Sequence, residues 1–82
     1  MITVAYTMRR SGEGERISAR WVIDGVEYST HTICHPSTED IKMNLIELTT
    51  KVDEFISNHE IIEGKVYSVT TLMPMRLLKV LL

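Results

Sequence analysis

Apolar and polar residues alternate along the first third of the chain. Ile2, Val4, Tyr6 and Met8 share one side, and Thr3, Ala5, Thr7 and Arg9 the other. That period of two marks a half-buried strand. Ser11-Gly12-Glu13-Gly14 reads as a turn. Alternation resumes over residues 16–23, with Ile17, Ala19, Trp21 and Ile23 on the apolar side. Asp24-Gly25 then separates two β-rich runs. This dipeptide favours a two-residue type I′ hairpin, because both turn positions require positive φ. Such a turn sets Ile23 opposite Val26, Trp21 opposite Tyr28 and Ala19 opposite Thr30. The aromatic pair therefore falls on the side already apolar, so alternation and turn chemistry agree. A third strand is expected from Val26 to Cys34, ended by His35-Pro36.

The period changes after Pro36. Ser37 is a candidate N-cap, with Asp40 at the third helical position. Glu39 and Asp40 suit the positive end of a helix dipole. Over residues 38–58, Ile41, Leu45, Leu48, Val52, Phe55 and Ile56 fall within an arc of about 100° at 3.6 residues per turn. Glu47 and Lys51 form a supportive i,i+4 pair on the exposed side. Glu63-Gly64 reads as a turn, and residues 65–73 as a fourth strand with Tyr67, Val69, Thr71 and Met73 facing inward. Pro74 interrupts, and residues 75–82 fit either an edge strand or a short helix. The order β-β-β-α-β predicts one α+β domain over residues 1–82: an antiparallel sheet packed on one long amphipathic helix.

Composition narrows the classes. The chain has 82 residues, 44% of them hydrophobic, which suits a small globular domain rather than a disordered one. Net charge is −2, against the basic balance usual for nucleic-acid binders. The charge is uneven. Residues 1–36 hold four Arg and four acids, residues 37–64 two Lys and seven acids, and residues 65–82 three bases and no acid. One cysteine, Cys34, allows no intrachain disulfide. The N-terminus lacks a signal-peptide pattern, and the apolar tail is far shorter than the roughly 20 residues a spanning helix needs. A cytoplasmic setting without membrane contact is the expectation.

Chemistry-bearing residues are sparse. His31, Cys34 and His35 cluster, with His59 downstream. Zinc needs about four convergent ligands. In a regular strand His31 and Cys34 point to opposite faces, and His31 and His35 stand about 13 Å apart. Cys34 beside His35 does not make a thiol nucleophile, since neighbours in a strand point apart. Ser11-Gly12-Glu13-Gly14 joins two strands, carries an acid and lacks the phosphate-loop Lys. The expectation is no enzyme, no metal and no cofactor.

Three surface features remain. If Arg9 faces Arg16 across the first hairpin, Ala5 opposes Arg20, and Arg9, Arg16 and Arg20 share the outer face. Like charges directly opposite are unfavourable. A partner anion would offset that cost, or Glu13 and Glu15 would neutralise the face. Met43 and Ile46 lie on the helix away from its main stripe, a second contact candidate. Leu77, Leu78, Val80, Leu81 and Leu82 are five large apolar residues in six. They must be buried in the monomer's core or at an interface, with Leu78 and Leu81 as interface candidates, and a homodimer is favoured over a monomer. The structural determinants are Trp21, Asp24, Gly25, Tyr28 and Ser37. The expected function is a small protein-binding module, an inhibitor or regulator of a larger complex. The alternative is a nucleic-acid binder reading through Arg9, Arg16 and Arg20 on a sheet.

The three-stranded meander running into a helix that opens with Ser37-Thr38-Glu39 resembles several small anti-CRISPR proteins of phages. The likeness covers roughly residues 2–56. It implies a protein-binding inhibitor of a host defence complex and carries over no site residues.

Overall fold

A computed structural model describes residues Met1–Leu82. The elements are β1 (Ile2–Ser11), β2 (Gly14–Ile23), β3 (Val26–Cys34), α1 (Thr38–Glu63), β4 (Val69–Leu72) and α2 (Met75–Leu81). The sheet has the order β3-β2-β1-β4. One face carries both helices, and the other carries none.

The hairpin between β2 and β3 forms as its turn chemistry requires. Asp24 has φ 49° and Gly25 φ 81°, and the pairs Ile23–Val26, Trp21–Tyr28 and Ala19–Thr30 are all present. In the first hairpin Arg9 opposes Arg16 and Ala5 opposes Arg20. Gly14 is needed there for space. A Cβ at that position would stand 2.5 Å from the Cys34 carbonyl oxygen, closer than any relaxed contact.

The fourth strand corrects the expectation of an antiparallel sheet. β4 pairs parallel to β1, Ile2 with Val69 and Ala5 with Leu72, so the sheet is mixed. The reason is directional. In the β1-β2-β3 meander both edge strands run the same way, and α1 carries the chain back to where they start. A strand that follows must then run parallel to whichever edge it joins. β4 is also shorter than residues 65–73, and Tyr67 and Met73 lie outside it. Its inner-side residues Val69 and Thr71 are exposed rather than covered.

Ser37 caps α1, its Oγ accepting the Asp40 N–H at 3.2 Å. The Asp40 carboxylate accepts the His35 N–H at 2.7 Å, tying the strand end to the first helical turn. The helix continues beyond residue 58 to Glu63, where Gly64 provides a left-handed C-cap. At about 1.5 Å per residue its length is about 39 Å, close to the longest extent of the molecule, 41 Å. Ile41, Leu45, Leu48, Val52 and Ile56 are buried against the sheet, while Phe55 is only partly covered. No Glu47–Lys51 ion pair forms, as is common for mobile surface charges.

Residues 75–82 resolve as the short helix α2. Only Leu77 is buried; Val80 is half-buried, and Leu78, Leu81 and Leu82 are exposed. A helix of about two turns against the core buries only one stripe, so the tail does not bury most of its leucines in the monomer.

Two outcomes test this packing. Gly14→Ala should cost about 1–3 kcal/mol in urea unfolding, because the new methyl meets backbone that cannot step aside. Burial foremost, and then the Asp53 carboxylate, push the Tyr6 phenol from its ordinary pKa of 10.0 up to about 12. A pKa raised in the folded chain supports stability below the unfolded value and loses that support as pH rises. Melting temperature should therefore fall between about pH 10 and pH 12, and less steeply for Tyr6→Phe.

Candidate functional site: the open face of the sheet

The alternation that buries Ile17, Ala19, Trp21 and Ile23 sends Arg16, Ser18, Arg20 and Val22 to the opposite face. On β1 the same face receives Thr3, Ala5, Thr7 and Arg9, and on β3 Glu27, Ser29, His31 and Ile33. The register stacks these into rows across the sheet: Arg9, Arg16 and Ile33; Thr7, Ser18 and His31; Ala5, Arg20 and Ser29. All three arginines are exposed. The result is a flat surface of small hydroxyl side chains crossed by guanidinium groups.

No carboxylate pairs with them. The chain has one ion pair, Arg76 Nη2 to Glu15 Oε1 at 3.7 Å. Glu15 does not neutralise the arginine row as expected. It lies in phase with Ile17 on the inner side, buried, with Oε2 lacking any partner. Glu27 does share the open face, opposite Val22 at the end away from Arg9 and Arg16. There Thr3, Arg20, Val22 and Glu27 contribute to a shallow depression of about 470 Å³.

The other candidates do not join this site. Met43 and Ile46 are exposed on α1, and Leu78 and Leu81 on α2, all in the helical layer. Glu39, Glu47, Asp53 and Glu54 are exposed on α1 as well. Charge is thus unevenly divided, with Arg9, Arg16 and Arg20 against Glu27 on the open sheet face, and the carboxylates of α1 outnumbering Lys42 and Lys51 on the helical side.

His31, Cys34 and His35 do not converge, and no group of three or more His, Cys, Asp or Glu is placed to hold a metal ion. Cys34 is buried. Burial first, then the Asp40 and Glu15 carboxylates, push its thiol pKa up, opposite to what activates a thiolate.

Beyond the Trp21–Tyr28 pairing that the hairpin register required, several contacts escape local sequence patterns. Trp21 stacks on Tyr28 with centroids 6.0 Å apart, and Phe55 meets Trp21 edge-on at 5.5 Å. His59 extends the cluster, 5.8 Å from Tyr67. Tyr67 OH donates to Asp24 Oδ2 at 3.0 Å, and Tyr67 N–H to Glu60 Oε2 at 2.7 Å. Burial, followed by that Asp24 hydrogen bond, raises the Tyr67 pKa. Trp21 Nε1 and His59 Nε2 are buried without partners. The turn aspartate therefore does double duty, shaping the hairpin and holding the segment after α1. No spacing rule connects residues 43 positions apart.

No protein-family model, curated protein or solved structure matches this chain. No helix is long and apolar enough to cross a membrane.

Facing Arg9 and Arg16 are unpaired like charges and should cost the isolated protein stability. Arg16→Thr should raise stability by about 0.2–1 kcal/mol in low-salt urea unfolding. The gain should shrink in high salt, where surface charges are screened.

Proposed function

We propose that this protein is a non-enzymatic binding module whose open sheet face meets an acidic surface on a partner protein. The observation that carries this reading is the set Arg9, Arg16 and Arg20, exposed in two rows of the uncovered face with no ion-pair partner. Charges that weaken the isolated fold and receive no internal compensation are explained by an external anion. Arginine suits such a contact because its planar donors pair with carboxylates in a fixed, two-pronged geometry. The acidic helical side would steer the approach, since it is repelled by the surface that attracts the arginines.

Inhibition or regulation of a larger complex in the cytoplasm is the biological role this proposal favours. A rigid module of this size acts on an assembly by covering a surface. Resemblance in element order to small anti-CRISPR proteins motivates the inhibitor reading without supplying contacts, because one fold serves many functions.

A nucleic-acid ligand is the second reading, favoured by the hydroxyl-rich rows between the arginines, which could contact phosphates. Glu27 on the same face and the net charge of −2 weigh against it.

Pull-down from the native host's lysate, read by mass spectrometry with and without nuclease, separates the two. Wild-type protein should retain a stoichiometric protein that survives nuclease. The triple variant Arg9→Ser, Arg16→Ser, Arg20→Ser should lose it while keeping the same far-ultraviolet circular dichroism. Loss of all retained material on nuclease treatment would transfer the arginines to nucleic acid. Undiminished capture by the triple variant would sink the proposal.

A further inference from the structure

The sheet ends on one side at β4, and that edge is open. Ile2 N–H donates to the Ser68 carbonyl at 2.7 Å, so Ser68 directs its backbone toward β1. Successive strand residues turn their backbone groups to opposite edges, so Thr70 and Leu72 also pair with β1. Val69 and Thr71 then point N–H and C=O outward, with no neighbouring strand.

Unpaired edges are normally blunted by charge, proline, a bulge or very short length, and of these β4 has only its length of four residues. The sequence Val69-Thr70-Thr71-Leu72 contains no charge and no proline. β3, the opposite edge, carries Glu27 and His31, while a proline follows both edge strands at the same distance, Pro36 after β3 and Pro74 after β4. Large apolar side chains are exposed on β4, beside it and on α2. Met1 is 86% exposed and Leu72 56%, while Leu78 and Leu81 are 42% and 39% exposed on α2. Arg76 reaches toward Glu15 on β2. At about 100° per residue, Leu78 and Leu81 lie on the flank of α2 opposite Arg76.

We infer that β4 is a self-association edge, on which a second copy of this chain pairs antiparallel about a two-fold axis through Thr70. In this register Val69 and Thr71 of one copy meet Thr71 and Val69 of the other, making about four backbone hydrogen bonds from the groups left free. Thr70 meets its counterpart in a non-hydrogen-bonded pair, a favourable Thr–Thr contact. A second copy fits better than a lone extended peptide. A single strand satisfies only the backbone edge, whereas a two-fold partner also sets its helical layer on the same side as this one, with Leu78 and Leu81 exposed in both. An isologous contact also closes, so it stops at a dimer. Because the axis is perpendicular to the sheet, both open faces point the same way and the two arginine rows form one surface. Only that last consequence rests on the function proposed above; the dimer stands without it.

Light scattering of the wild-type chain over a dilution series should give twice the 9.4 kDa chain mass at the concentrated end. Thr71→Pro removes an outward N–H that β1 does not use, and Thr70→Lys sets like charges face to face on the axis. Both should yield folded monomers with unchanged Trp21 emission. Thr70→Cys should oxidise to a covalent dimer, because opposed residues in a non-hydrogen-bonded pair stand about 4.5 Å apart, within disulfide reach. Asn58→Cys on α1 should not. A wild-type mass of 9.4 kDa throughout, or cross-linking at Thr70→Cys no faster than at Asn58→Cys, would overturn the assignment. The edge would then be left to an extended segment of another protein.

Discussion

The two-residue turn at Asp24-Gly25 constrains nearly everything else in this molecule. Its left-handed backbone brings β2 and β3 together in one register. A slip by one residue would exchange the two faces of the sheet. In the observed register Trp21 lies on Tyr28, and that aromatic platform receives Phe55 from α1. The Asp24 carboxylate adds a second role by accepting the Tyr67 hydroxyl. The turn thus orients the sheet, seats the long helix and anchors the chain that leaves it.

The same register decides where the charges go. Every residue that points Ile17, Ala19 or Trp21 into the core obliges its neighbours Arg16, Ser18 and Arg20 to face solvent. Two helices cover one face, and their outer surface is acidic. Nothing covers the other, and its arginines have no carboxylate to pair with. A fold optimised only for its own stability would not oppose Arg9 to Arg16 on an open surface. The arrangement is a local conflict, and conflicts of that kind concentrate where a surface serves a partner.

β4 and α2 are the most sparsely packed part of the architecture. β4 covers only the first half of β1, from Ile2 to Ala5. α2 contributes one fully buried leucine, Leu77, and leaves its neighbours outside. A small domain has few ways to bury a tail of this composition alone, because its surface is large relative to its core. Part of the apolar material that the core does not absorb, Val69 and Leu72, lies on the one uncharged free edge.

Local chemistry made much of this legible in the chain itself. Alternation identified the three meander strands, the Asp-Gly turn set their register, and Ser37 with the period of Ile41, Leu45, Leu48, Val52 and Ile56 located the helix. The exposed face of Arg9, Arg16 and Arg20 followed from the same alternation, since a strand has only two sides. The parallel direction of β4 departs from the antiparallel sheet expected from the sequence, because the pattern of residues 65–73 carries no sign of strand direction. What only the tertiary structure decided is which edge β4 joined, where Glu15 found its cation, how Tyr67 reached Asp24, and which tail leucine entered the core. Each of these depends on contacts between residues far apart in sequence. Local backbone preference cannot encode them, because they exist only once the helices have packed on the sheet.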